Sequence, residues 1–254
     1  GDRGALEGLL ERPDLGDIAL VGALALLEDL LAHRLLDHAV ERVADFADVL
    51  RGAADPERAA GSAAYHKANR EYLGVRVPLI DDMARRWREG MDVPARVALA
   101  AALWDTNIHE ARIAAAKLLT QARIKGDDAV WRLISSWLPD FDAWAIADHA
   151  CDAGGRRLFA DPTRIDEVEG WTRSDSFWSR RAALVITLPW TKQNFPSAAD
   201  LAIRDRVLGW AAQMADDREW FIQKAIAWWL RDLSRHDAPR VRDWLAAHGD
   251  RLKP

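Results

Sequence analysis

One cysteine, two tyrosines and three methionines stand in a chain of 254 residues that carries thirteen tryptophans. A lone Cys151 excludes an internal disulfide framework, and no set of cysteines and histidines has the spacing of a zinc site. No metal and no other cofactor is therefore expected, and a reducing, cytoplasmic setting fits best. The most apolar stretch, "IALVGALALLEDLLAHRLL", is broken by Glu28, Asp29, His33 and Arg34 and lacks a small-residue cleavage pattern. It reads as a soluble amphipathic helix, neither a membrane span nor a signal peptide. Gly1 in place of Met is expected to mark a processing boundary.

Strand alternation followed by Asn-Gly or Asp-Gly turns is missing too, as is any glycine-rich phosphate loop. Apolar residues instead recur at three and four, interrupted every 15 to 20 residues by Pro, Gly or Asp. In "PARVALAAALWDTNIHEARIAAAKLLTQAR" Pro94 suits a first helical turn, and "DDAVWRLISSWLPDFD" stops at Pro139. The chain reads as all-α. Half of its residues are hydrophobic, enough for a substantial core, and most of the indoles are expected inside it.

Charge is unevenly spread. From Trp171 onward there are 14 Lys/Arg against 10 Asp/Glu, and before it 21 against 30, so an acidic protein can still carry a basic face. Ordinary solvated helix surfaces would give the same count.

Three segments can be written under one another: "DTNIHEARIAAAKLL" from Asp105, "DSFWSRRAALVITL" from Asp175 and "DREWFIQKAIAWWL" from Asp217. Each opens on an Asp suited to a helix cap, and a basic residue follows, Arg112, Arg181 or Lys224. A fourth copy falls on "FDAWAIADHACD", where Ala147 takes the basic position and Asp148 stands beside it. Weak helix-pair repeats of about 35 to 45 residues predict a curved α-solenoid of HEAT type with a concave face; an irregular helical bundle is the alternative.

Lys224, Trp228, Arg231 and Arg235 share one helical stripe, and Ile222, Ile226, Trp229 and Leu233 another. The second is the natural core stripe, so Trp228 is left among three cations on the exposed one. Arg180 and Arg181, after Trp178, repeat the theme. Such a surface suits a phosphate backbone, and equally an acidic protein partner. In a groove lined by cations Asp148 is the one anion, with Trp144 four residues before it on the same face. It serves either chemistry or an ion pair to Arg156, Arg157 or an arginine of a neighbouring helix. His149 points about 100° away, and Cys151 reads as a packing residue.

Five ordered stretches, "AYHKANREYLGVRVP", "LWDTNIHEARIAAAKLL", "WAIAD", "FWSRRAALV" and "WFIQKAIAWWLRDL", resemble the AlkD-like DNA alkylation repair glycosylases, from about residue 46 to the C-terminus. Residues 1–45 are then an N-terminal helical extension and 46–254 the repair domain. The resemblance implies excision of cationic alkylated purines, N3-alkyladenine and N7-alkylguanine, from double-stranded DNA by a monomer, without a base-flipping pocket. It implies Trp144 and Asp148 as the catalytic pair, Arg181 as the arginine holding the backbone beside the lesion, and Trp228 as a groove tryptophan on sugar and backbone. Tyr65 and Lys67 match a groove-facing part of the N-terminal motif. Action on DNA would place the cytoplasmic protein at the nucleoid. The alternatives are a non-catalytic DNA-binding relative and a helical scaffold for an acidic protein.

Overall fold

The structure, a computed structural model, describes residues 42–253; the expected helix around residues 18–36, and nearly all of the proposed extension, lie outside the described residues. Twelve α-helices follow one another: α1 (42–52), α2 (Pro56–His66), α3 (Val77–Arg88), α4 (Val93–Asp105), α5 (His109–Leu119), α6 (Asp128–Ser136), α7 (Trp144–Ala160), α8 (Ile165–Trp171), α9 (Phe177–Val185), α10 (Ala198–Gln213), α11 (Trp220–Ser234) and α12 (Ala238–His248). Among the described residues no strand forms, only the isolated bridge Glu71–Ile108. No helix among them is long and apolar enough to cross a membrane.

Local chemistry sets many of the boundaries. Asp55 and Asp92 cap α2 and α4, each accepting a backbone N–H three residues on, and Pro56 and Pro94 occupy the first turns. Ser197 and Asp200 exchange hydrogen bonds as a capping box at the start of α10. Asp105, Asp175 and Asp217, expected as caps, are not caps: Asp105 ends α4, and α9 and α11 start from Ser176 and Glu219. Asp175 and Asp217 sit in the connecting turns, where Asp217 pairs with Arg180 instead.

Odd-numbered helices α3, α5, α7, α9 and α11 pack side by side in one row, with α4, α6, α8, α10 and α12 behind them. This is the all-α repeat architecture the periodicity predicts. α5, rich in alanine, sits so deep that ten of its eleven residues are buried. Seven of the thirteen tryptophans are buried, and only Trp144 and Trp220 are exposed. Both open helices of the front row.

The helix starts also correct the repeat register. Trp144, Phe177 and Trp220 are the first residues of α7, α9 and α11, and four residues on stand Asp148, Arg181 and Lys224. Asp148 itself therefore fills the basic position, not Ala147, which is buried in the core. The offset arose because the aspartates stand at unequal distances before the helices that follow them, Asp105 at a helix end and Asp175 and Asp217 in turns.

Two glycines hold the region of interest together. Gly155 in α7 lets the turn after α9 close in: a Cβ there would lie 2.7 Å from the Ile186 carbonyl oxygen and 3.3 Å from Pro189. Gly74 has φ +75°, and its N–H and that of Leu73 both donate to the buried Glu110 carboxylate, at 2.7 and 2.9 Å. A Cβ on Gly74 would meet the Asp55 carbonyl oxygen at 2.3 Å. Gly74→Ala is accordingly expected to lower stability by more than about 1 kcal/mol, read as a lower denaturant midpoint with unchanged slope; an unchanged midpoint would contradict the described backbone.

Candidate active site

Asp148 and Arg181, at equivalent positions of adjacent front-row helices, meet laterally. The Arg181 Nη2 donates to both carboxylate oxygens of Asp148, at 2.8 and 2.9 Å, and Nη1 donates to the Phe221 carbonyl of the next helix, at 3.1 Å. The guanidinium also lies over the Phe221 ring, 5.8 Å from its centroid. Arg181 is only 4% exposed, and its Nε has no partner. Of the readings open for Asp148, the ion pair to a neighbouring helix is thus present. Arg156 pairs loosely with Asp152 at 3.9 Å, and Arg157 is held by Asp127 and two backbone carbonyls.

An ion pair does not exclude chemistry. One side of the Asp148 carboxylate opens on a cavity of about 390 Å³ lined also by Cys151, Asp152, Arg156, Phe159, Val185, Leu188, Pro189, Lys192 and Trp228. Burial pushes the Asp148 carboxyl above the usual carboxylate range, and the charge and hydrogen bonds of Arg181 pull it back only in part. Arg181 takes one acceptor direction on each oxygen, so lone pairs remain for a water. Cys151 in the same wall is buried, its thiol pushed far up by desolvation, which removes it as a nucleophile. His149 is lowered to about 4, chiefly by burial, and stays neutral. No group of three or more potential metal ligands occurs among the described residues.

Trp144 is 37% exposed at the head of α7. Tyr65, itself largely exposed, meets it edge-on at 6.4 Å, and His66 tilts against it at 5.6 Å. Behind them His66 packs on His109 at 4.8 Å and Tyr72 on His109 at 4.9 Å. His109 is buried, its Nδ1 unpartnered, and burial lowers its pKa to about 3; His66 is lowered as well, again mainly by burial. Both imidazoles stay neutral, so they back the indole without setting a cation beside it. Buried Arg70 is charge-paired with Asp142 at the edge of this cluster. The sequence reading passed over His66, Tyr72 and His109. A signal existed: the chain's only two tyrosines, Tyr65 and Tyr72, bracket His66 within eight residues.

The α11 stripes fall as expected from their spacing. Ile222, Ile226, Trp229 and Leu233 are buried, while Lys224, Arg231 and Arg235 are exposed and Trp228 is half-buried. Trp228 donates to Asp232 at 3.0 Å and turns a face to the Asp148 cavity. Lys224 covers the Trp220 ring at 4.3 Å. Arg180 stands apart: Asp217 and the carbonyls of Ser174 and Asp175 occupy its guanidinium, which makes it a brace between loops. Lys67 is exposed at the end of α2, in the left-handed conformation with φ 58°.

Comparisons with known proteins bear on this arrangement. The profile of the DNA alkylation repair enzyme family matches residues 46–254. No curated protein sequence matches. Among solved structures, a predicted DNA alkylation repair enzyme from Enterococcus faecalis superposes with a TM-score of 0.65 at 21% identity, covering 79% of this chain and 92% of that one. AlkD2 from Streptococcus mutans gives 0.53 at 16% identity, covering 67% and 81%. At these identities the superpositions speak to the fold alone.

Proposed function

Since the chain belongs to the DNA alkylation repair enzyme family, we propose that it is a DNA glycosylase acting on cationic alkylated purines in duplex DNA, with Asp148 and Trp144 at the sugar. The observation that supports this reading most is the Asp148 carboxylate, held from behind by buried Arg181 and open in front to a cleft bordered by Trp228 and two exposed cations.

Alkylation at N3 of adenine or N7 of guanine leaves the base positively charged, so it departs as a neutral molecule and needs no general acid. When the C1′–N bond breaks, its electron pair goes to the base and positive charge develops on the sugar. A carboxylate at that sugar stabilises the oxocarbenium-like state and takes a proton from the water whose oxygen bonds to C1′. The Trp144 face adds further stabilisation of a cation. Neutral lesions lack the activated leaving group and would be poor substrates.

The lining of the cleft favours contact with sugar and backbone over a base-reading pocket. Apart from the thiol of Cys151 and the indole N–H of Trp228, which Asp232 occupies, its polar side chains are all charged: Asp148, Asp152, Arg156 and Lys192. Two cations and two carboxylates suit phosphates and a positive charge developing on the sugar. Lys224, Trp228 and Arg231 continue the exposed stripe on which DNA would lie, and Tyr65 and Lys67 stand on the Trp144 side.

The test is release of free base from duplex DNA carrying N7-methylguanine or N3-methyladenine, leaving an abasic site. Release is expected for these and not for a neutral lesion such as O6-methylguanine. Duplex binding without release from either cationic base would overturn the catalytic reading.

A further inference from the structure

A phosphodiester beside the reacting sugar needs cations, and Arg181 already has much of its guanidinium engaged. Its guanidinium is buried, with Nη1 on a carbonyl and Nη2 on both Asp148 oxygens.

Two other cations line the same cleft from opposite walls. On α7 the residues Asp148, Asp152, Arg156 and Phe159 follow one face, and Arg156 lies about 12 Å along the axis from Asp148. The facing wall is the turn Leu188–Lys192, drawn against α7 at Gly155. Its last residue, Lys192, is exposed and makes no ion pair among the described residues. The backbone on either side of Lys192 is fixed: buried Arg204 donates to the carbonyls of Trp190 and Gln193, both at 2.8 Å. Among the described residues Arg156 pairs only with Asp152, at 3.9 Å across an exposed gap, a weak surface contact easily given up for phosphate oxygens. With Asp148 already compensated by Arg181, and Asp152 balanced against Arg156, Lys192 leaves the cleft with net positive charge.

We propose that Lys192, with Arg156, is a phosphodiester-binding pair that holds the lesion-bearing strand at the mouth of the Asp148 cleft, in addition to any contact from Arg181. This rests on the glycosylase reading for the identity of the strand, but its test does not require catalysis. A duplex with a tetrahydrofuran abasic analogue is bound by wild type, Lys192→Ala and Arg156→Ala across a salt series. The slope of log affinity against log salt should flatten by about 0.9 for each variant. Single methylphosphonates are then placed in turn along the analogue strand. Neutralising the contacted phosphate weakens wild type, and that position falls silent in Lys192→Ala while others keep their effect. Identical positional penalties in wild type and variant, with only a uniform loss of affinity, would overturn the proposal by reducing Lys192 to a distant charge. If wild type shows the positional pattern yet releases no base, the phosphate site stands and the catalytic reading falls. Base release by wild type with no silenced position sinks the phosphate site alone, and no duplex binding by wild type sinks both.

Discussion

Asp148→Asn is expected to abolish base release from N7-methylguanine duplexes while leaving DNA binding intact or tighter. The carboxylate is asked both to face the developing positive charge and to accept the water's proton, and an amide does neither. Losses for such roles run from about 10²- to 10⁴-fold each, which would bring excision close to the spontaneous rate of a cationic lesion. The amide oxygen can still accept from Arg181, so the α7–α9 contact survives in weakened form. Binding moves the other way because a negative charge has left a cleft meant for an anionic strand, while the Arg181 charge stays. Single-turnover release and equilibrium binding on the same duplex check both parts. A variant that releases base at the wild-type rate would remove Asp148 from the chemistry and leave its pair with Arg181 as structure alone.

How far the sequence discloses this depends on the kind of contact. Helix faces were legible because a 3.6-residue period needs only local spacing: the α11 core stripe, and the exposed Lys224 and Arg231 with half-buried Trp228 between them, fall where that spacing puts them. The stacking of helix pairs was legible from weak repetition. The repeat register was not, since aspartates at a helix end or in a turn looked like caps, and only the helix starts at Trp144, Phe177 and Trp220 show that Asp148 occupies the slot of Arg181 and Lys224. The partner of Asp148 was also out of reach, because an arginine 33 residues away has no local signature. The same holds for the wall made by the turn Leu188–Lys192 and for the His66–His109 stack, where residues far apart in the chain meet. Composition hid one further point: Arg180 and Arg181 are neighbours of identical chemistry, yet one braces a loop and the other a carboxylate.

Arg181→Met should separate support of the carboxylate from contact with DNA. Removing the guanidinium leaves a largely buried carboxylate with no cation, and breaking such a pair from one side costs about 3–5 kcal/mol. Arg181 is the influence that lowers the Asp148 pKa against desolvation, so its loss drives that pKa further above the ordinary 3.8. Excision needs the ionised form and is lost as pH falls through the folded-state pKa; the acid limb of the pH–rate profile should therefore shift to higher pH in the variant. Stability follows the same linkage. A carboxyl whose folded pKa exceeds its unfolded one binds more protons when folded, and the variant enlarges that excess, so its deficit against wild type should be smallest at acidic pH and grow as pH rises from the wild-type folded pKa to the variant's higher one. Arg181→Lys, which keeps a charge but reaches one partner at a time, should fall between the two and guards against a variant that does not fold. The salt slope of duplex binding is read on Arg181→Met, because a lysine would keep a charge for any phosphate contact. An acid limb unmoved in Arg181→Met, together with a salt slope flattened by about 0.9 in the same variant, would assign Arg181 to the DNA backbone and leave Asp148 to be tuned by burial alone.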